Sequence, residues 1–205
     1  MVTIITEVSK YLMMILFACY TYESFSALKK SDAPKRMQPI LRRQLFFLFL
    51  IHLDAYLVIF AATGEVQMLG FYVMQVLLIC AIQLIYRFLY KKAARLVTNH
   101  MCMLLVIGFI ILTRLDEAKA TRQFTLAVAA TVITLLVPFF IRHIHFLHKL
   151  PYLYAGIGIA LLALVAVAGR TDYGAKLSFT FGSVSLQPSE FIKILFVFFA
   201  ASMLY

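Results

Sequence analysis

Charged residues are scarce in this sequence, and tryptophan is absent. Asp, Glu, Lys and Arg make up only 14% of the 205 residues, whereas hydrophobic residues make up 63%. Soluble domains are about a quarter charged and about half apolar. Because a soluble fold could not hide this apolar excess in its core, the composition predicts an all-α polytopic membrane protein. Tyrosine and phenylalanine must then supply the aromatic residues at the membrane interfaces.

The spacings that mark disulfide frameworks, zinc sites and soluble cofactor sites are also missing. Cys19, Cys80 and Cys102 lie in or beside apolar runs without a C-x-x-C spacing, which is typical of small buried hydrophobic residues. No P-loop, G-x-S-x-G elbow, dinucleotide fingerprint or H-E-x-x-H helix occurs. The sequence therefore predicts no soluble cofactor for this chain.

Seven apolar segments are long enough, or nearly so, to cross a bilayer as helices, which takes about 20 residues. They cover residues 4–26, 44–62, 67–86, 100–113, 124–141, 152–168 and 190–205. The fourth is short unless its flanks enter the interface. The first has no small-residue cleavage site, and its basic cluster follows the apolar run, so we interpret it as a retained span.

The net charge of +10 is divided among short clusters instead of forming one patch, which argues against nucleic acid as a partner. Three strongly basic loops alternate strictly with three mixed or neutral ones: 29–43, 87–100 and 142–149 against 61–67, 114–122 and 169–190. Cytoplasmic loops of membrane proteins are enriched in lysine and arginine. The alternation predicts that the N-terminus and the segment 169–190 are both extracytoplasmic.

A basic stretch around 87–99 interrupts the apolar composition. It divides the chain into two predicted domains. Residues 1–95 form a three-span N-terminal membrane extension, and residues 96–205 form a second membrane unit.

A polar segment, GAKLSFTFGSVSLQPSEF at 174–191, stands directly before the last apolar run. It resembles the signature of the SEDS family (FtsW, RodA and SpoVE), approximately G-A-[KR]-x-W, then G, then S-F-Q-P-S-E-[FL]-x-K. The matching residues are Gly174, Ala175, Lys176, Gly182, Ser185, Gln187, Pro188, Ser189, Glu190 and Lys193. LTRLDEAKATRQF at 112–124 is similar to the family's first external loop, where an Arg-Gln pair opens the next span. The resemblance covers about residues 100–205.

Two features depart from the family pattern. Ser178 stands where the family usually has tryptophan, which removes an aromatic surface at the interface. The extension 1–95 has no counterpart in the shorter members and resembles one found in some Gram-positive versions.

The resemblance implies a peptidoglycan glycosyltransferase that polymerises lipid II at the outer face of the bacterial plasma membrane, during division or elongation. It implies lipid II, undecaprenyl-linked glycan, a class B penicillin-binding protein and membrane lipids as partners. Family members continue with further spans and a large external loop carrying an essential Asp, the proposed general base. The chain is therefore expected to be the N-terminal half of such an enzyme, to contain no catalytic residue and to be inactive alone.

The residues Gln187, Ser189, Glu190 and Lys193 have two interpretations. In one they only begin a helix: Pro188 suits the first helical position, Glu190 complements the helix dipole, and Glu190 pairs with Lys193. In the other they line a polar groove at the outer interface and contact the sugar-pyrophosphate head of a lipid-linked substrate. A cation one turn inside a span needs a partner or a wet cavity, which a groove would give Lys193.

Glycosyl transfer from a lipid pyrophosphate requires cations that stabilise the departing diphosphate. Lys176, which fills the family's basic position, and Arg122 are predicted to bind substrate, whereas Lys119 and Arg170 are interpreted as solvated rim residues. A divalent cation in the full-length enzyme is the alternative. Structural roles are assigned to Gly174, Gly182, Pro188 and Asp54.

His52 and Asp54 lie near the middle of the second apolar segment. An ionised Asp at that depth costs about 2.5–3.5 kcal/mol on insertion scales, so it should face the bundle or be protonated. The two residues are on nearly opposite helix faces, and Gln75 and Gln83 are candidate neutral partners. The pair is interpreted as a polar contact that docks the extension onto the rest of the bundle, with a proton relay as the alternative.

The run RHIHFLHK contains His143, His145 and His148, but only the last two share a helix face, and no acid or cysteine is near. We interpret it as a basic cytoplasmic anchor and predict no metal site.

Two other functions compete with the glycosyltransferase. A flippase for the lipid-linked precursor would use Asp54, His52 and Lys193 along a path, but broken helices and inverted repeats should then accompany them. A non-catalytic scaffold of a division or elongation complex is the third alternative.

Overall fold

The structure, a computed structural model, describes residues 2–29, 34–90, 93–143, 150–168, 170–172, 175–181, 184–186 and 188–204. Within these residues the chain forms seven helices and three short strands. In chain order they are α1 Val2–Lys29, α2 Pro34–Thr63, α3 Val66–Leu89, α4 Arg95–Leu115, α5 Glu117–His143, α6 Pro151–Ala168, β1 Arg170–Asp172, β2 Ala175–Phe181, β3 Val184–Leu186 and α7 Pro188–Met203.

The prediction of a helical membrane protein is confirmed. Among the described residues, five helices, α1 to α5, are long and apolar enough to cross a bilayer, which is fewer than the seven spans predicted. The helices α6 and α7 have 18 and 16 residues. At 1.5 Å per residue they are about 27 and 24 Å long, shorter than a hydrocarbon core of about 30 Å.

Two predicted loops are largely helical. The helix α2 begins at Pro34, so the basic residues as far as Arg43 occupy its first three turns. Proline suits this position because its fixed φ is helical and its missing N–H would have no intrahelical partner. In the predicted loop 114–122, Asp116 alone separates α4 from α5. The ring centroids of Phe109 and Phe124 lie 6.1 Å apart, so the chain reverses direction at Asp116.

The chain divides into two compact units, Met1–Val132 and Ile133–Tyr205. In the first unit α2 packs against α1, α3 and α4. Its core is a cluster of buried apolar side chains: Leu16, Tyr20, Leu48, Ile51, Ile79, Ile82, Cys102, Met103 and Val106. Cys102 is buried as predicted, while Cys19 and Cys80 are half-buried. The predicted domain boundary at residue 95 rests on the sequence and stays a prediction.

In the second unit α6 packs against α7, and both helices contact β2. The strands form an antiparallel sheet in the order β1-β2-β3. Thr171 pairs with Lys176 across β1 and β2, and Phe179 pairs with Leu186 across β2 and β3. The sheet occupies most of the segment that was predicted to be an external loop, and the sequence prediction did not include it.

Candidate functional site

The start of α7 carries the polar residues of the sequence motif. Pro188 is the first residue of the helix and is buried, Ser189 is half-buried, and Glu190 lies exposed in the first turn. The Nζ atom of Lys193 donates to Oε1 of Glu190 at 2.8 Å. The side chains of this pair are 70% and 61% exposed. Exposed pairs of this kind contribute about 0–1 kcal/mol to stability, so the pair is open to ligands and adds little to folding.

Among the predicted substrate-binding residues that the structure describes, Ser189, Glu190 and Lys193 lie together in the first two turns of α7, and Glu190 and Lys193 form an ion pair. Lys176 lies in β2, and Arg122 is exposed on α5 in the first unit. Gln187 lies outside the described residues, as do the two glycines of the motif, Gly174 and Gly182.

Lys119 and Arg170, the other cations predicted to be external, lie on different elements. Lys119 is one turn into α5, and its Nζ atom lies 3.1 Å from Oδ2 of Asp116. Arg170 is in β1, where it pairs in register with Ser178. The interpretation of Lys119 and Arg170 as rim residues stays a prediction.

Asp116 forms the cap at the N-terminus of α5. The backbone N–H of Lys119 donates to Oδ1 of Asp116 at 3.1 Å, which satisfies one of the helix's first amides. This hydrogen bond, together with the Lys119 ammonium, holds the pKa of the Asp116 carboxyl below its usual value. The first turn of α5 therefore begins on a charged carboxylate.

His52 and Asp54 face different neighbours. Nε2 of His52 lies 3.0 Å from Oε1 of Gln75 on α3, and both side chains are fully buried. The hydroxyl of Ser9 on α1 donates to Oδ2 of Asp54 at 2.6 Å. Gln75 was predicted as a partner in this region, and Ser9 was not. Each of the two polar residues joins α2 to another helix of the extension 1–95, so these contacts lie inside the extension and are not the predicted contacts that dock it onto the rest of the bundle.

Asn99 on α4 joins three helices through buried hydrogen bonds. Its Nδ2 donates to the Leu41 carbonyl at 3.2 Å and to Oε1 of Gln44 at 3.0 Å, both on α2. Its Oδ1 accepts from Nε2 of Gln83 on α3 at 3.2 Å. Sequence reasoning singled out Gln83 as a partner for the His52 region and missed Asn99. The sequence signal that could have identified Asn99 was an isolated amide side chain at the edge of an apolar run.

Further polar contacts tie the first unit together. Arg43 donates twice to the Glu23 carboxylate, at 2.7 and 3.1 Å, and so links α2 to α1. The hydroxyls of Tyr56 and Thr113 lie 2.8 Å apart between α2 and α4. The Tyr20 hydroxyl lies 3.1 Å from Nδ1 of His100 between α1 and α4. The helices of the extension are thus bound to α4 by side-chain hydrogen bonds as well as by apolar packing.

His143 lies at the end of α5, where its Nδ1 lies 3.0 Å from the carbonyl oxygen of Phe139. His145 and His148 lie outside the described residues. The prediction of a basic anchor in this run is not tested.

These features define a polytopic helical membrane protein in which an exposed, oppositely charged pair opens a helix directly after a small sheet. The model of the FtsW/RodA/SpoVE family of cell cycle proteins matches residues 94–205, more than half of the chain. The chain therefore belongs to this family, as its motif predicted, and membership indicates a FtsW/RodA-type role in cell-wall synthesis. No curated protein and no solved structure matches the chain.

Proposed function

We propose that the chain is the N-terminal part of a peptidoglycan glycosyltransferase that polymerises lipid II at the outer face of the bacterial plasma membrane. The family match over residues 94–205, which includes the whole polar motif, carries this proposal. In the proposed enzyme, Lys176, Gln187, Ser189, Glu190 and Lys193 line a groove at the outer interface. Arg122 adds a further cation, and a class B penicillin-binding protein is the partner.

The exposed Glu190–Lys193 pair supports this role. Both side chains are largely accessible, so a ligand can reach them without unfolding the helix. The carboxylate can accept hydrogen bonds from sugar hydroxyls, and the ammonium can donate to phosphate oxygens. A cation placed beside a departing diphosphate stabilises the charge that develops on it.

The test measures lipid II polymerisation by a full-length protein that contains this chain. Glu190→Ala and Lys176→Ala should each lower the polymer yield by about tenfold or more, because the first removes an acceptor for sugar hydroxyls and the second removes a cation proposed to bind the diphosphate. Glu7→Ala and Lys10→Ala are matched controls, since Glu7 and Lys10 form an equally spaced, equally exposed pair on α1. Unchanged yield in the motif variants, with normal amounts of folded protein, would remove these residues from the mechanism.

The proposal also requires the motif to be extracytoplasmic. Ser189→Cys should react with a membrane-impermeant maleimide added to intact cells, whereas Arg87→Cys should react only after the membrane is opened. The native cysteines lie within α1, α3 and α4, so they contribute little background. Labelling in the reverse pattern would invert the topology and exclude an outer-face glycosyltransferase.

A further inference from the structure

A cleft lies among α2, α3 and α4, at the end of the bundle where α2 begins and α3 ends. It encloses about 300 Å³, and its lining includes Arg42 from α2, Arg87 from α3 and Arg95 from α4. No aspartate or glutamate is among the described residues that line it. The cleft is therefore a concave, positively charged opening at the end of the bundle that the basic loops predict to be cytoplasmic.

The three arginines keep their charge available. Arg42 and Arg87 are exposed, and neither forms an ion pair within the described part of the chain. Nη1 of Arg95 donates to Oε1 of Gln38 at 2.6 Å, and this neutral partner positions the guanidinium without cancelling its charge. Arg43, the next residue along α2, is in contrast paired with Glu23. Three guanidinium groups facing one opening favour an anion with several acceptor oxygens.

Apolar side chains continue the cleft from the arginines towards the interior of the bundle. Leu45 and Phe49 follow Arg42 along α2 at intervals of three and four residues, which places all three on one helix face. Leu84 precedes Arg87 by three residues on α3, so the second wall has the same order. A charged mouth with an apolar extension matches a lipid, whose phosphate lies at the interface and whose acyl chain runs into the membrane.

We propose that this cleft binds an anionic phospholipid, with its phosphate at Arg42, Arg87 and Arg95 and one acyl chain along Leu45, Phe49 and Leu84. Basic pockets between transmembrane helices on the cytoplasmic side recognise anionic headgroups in this way. An anionic lipid is favoured over a zwitterionic one because the latter brings a second, positive group to the same arginines. The site is separate from the polar motif at α7 and does not depend on the proposed glycosyltransferase activity.

The absence of tryptophan provides a direct assay, since one introduced indole is the only one in the protein. Phe49→Trp places it in the cleft, and Phe46→Trp places it one turn away on α2 at a 60% exposed position outside the lining. The full chain is reconstituted in phosphatidylcholine vesicles that contain about 20 mol% of either brominated phosphatidylglycerol or brominated phosphatidylcholine. Quenching of the Phe49→Trp indole should be stronger with the brominated anionic lipid, whereas the Phe46→Trp indole should respond to both lipids alike. If Phe49→Trp does not fold, Leu84→Trp takes its place.

Charge-matched double variants test the arginines. Each arginine beside an anionic headgroup adds about fivefold in affinity, so Arg42→Gln with Arg87→Gln should weaken binding of the anionic lipid by about 25-fold and leave only the smaller preference due to Arg95. Arg36→Gln with Arg114→Gln removes the same net charge from exposed residues outside the cleft and should preserve the full preference.

Three results would overturn the proposal. The first is equal quenching of the cleft indole by both lipids, and the second is an equal loss of preference in both double variants. The third is displacement of the brominated anionic lipid by inorganic phosphate alone, which would assign the arginines to a soluble anion.

Discussion

One hydrogen bond joins His52 and Gln75 in the apolar interior between α2 and α3, while Nε2 of Gln75 has no partner among the described residues. Since Oε1 of Gln75 can only accept, Nε2 of His52 carries the proton, and Nδ1 has no hydrogen-bond partner among the described residues. Replacing either residue by leucine strands the other's polar groups. We therefore expect His52→Leu and Gln75→Leu each to lower the free energy of unfolding by about 1–3 kcal/mol.

The double variant distinguishes a mutual contact from two independent ones. With both residues replaced, no polar group is left unsatisfied, so the loss should be smaller than the sum of the single losses. Reversible unfolding of the full chain by sodium dodecyl sulfate in mixed micelles measures all four proteins. Additive losses would mean that the two side chains do not interact in the folded protein.

Asp54 differs from His52 because its partner, Ser9, lies on α1. Asp54→Asn keeps an acceptor for the Ser9 hydroxyl, so a purely structural contact between α1 and α2 predicts near-normal stability and activity. Ser9→Ala removes the donor and leaves the half-buried carboxylate unpaired, which should lower the free energy of unfolding more. Mixed-micelle unfolding and lipid II polymerisation by the full-length protein provide the two measurements. A large loss of activity in Asp54→Asn with intact folding would favour the proton relay.

Side-chain contacts between residues close in sequence could be predicted, whereas contacts between residues far apart in sequence could not. The Glu190–Lys193 pair follows from an interval of three residues in a helix. The partnership of His52 with a glutamine on the following helix follows from the small number of polar groups in those apolar runs. Ser9 is 45 residues from Asp54, and nothing in the local pattern indicates which helix faces the carboxylate.

Asp116 makes the N-terminal turn of helix α5 sensitive to pH. Its pKa is lower in the folded protein than in the unfolded chain, because the Lys119 backbone N–H and ammonium favour the carboxylate. The carboxylate therefore stabilises the folded state fully when the pH is above the pKa of an unfolded aspartate, near 3.9. This stabilisation is lost as the pH falls through the lower pKa that Asp116 has in the folded protein. Amide hydrogen exchange in the first turn of α5 should accelerate over that interval.

The matched variant for this prediction is Asp116→Asn. Asparagine still accepts the N-cap hydrogen bond but does not titrate in this range, so exchange at the start of α5 should no longer depend on its protonation. A pH response that is identical in the two proteins would assign the effect to another group.

The small sheet shows which element could have been predicted and was not. In AKLSFTF, residues 175–181, apolar and polar residues alternate with a period of two, which is the signal for a strand. The resemblance to a membrane family and the short length of the segment favoured a loop. The helices were easier to predict because runs of about 20 apolar residues leave little choice of structure in a bilayer.

Asn99 connects the extension to residues 94–205, the region that matches the family model. Asn99→Ala removes three interhelical hydrogen bonds and leaves the buried Oε1 of Gln44 without its donor, while Nε2 of Gln44 still donates to Ser24. The free energy of unfolding should fall by about 1–3 kcal/mol. Thr98→Ala is the matched control, because within the described part of the chain the Thr98 hydroxyl bonds only to the Ala94 carbonyl of its own helix.

Cys102 reports separately whether α4 has loosened from its neighbours. It is fully buried one turn beyond Asn99. Its reaction with a maleimide should be slow in the unaltered protein and in Thr98→Ala, and faster in Asn99→Ala. Equal reactivity in all three would show that the hydrogen bonds of Asn99 do not hold α4 in place.

The single residue between α4 and α5 has a consequence for biogenesis. Because only Asp116 lies between α4 and α5, α5 leaves the ribosome directly after α4. The link is too short for α5 to remain outside the membrane while α4 inserts. The insertion machinery must therefore receive the two as a paired hairpin, and a failure of one to integrate would strand the other. A flexible epitope placed beside Asp116 lengthens this link and should for this reason let the two helices integrate independently.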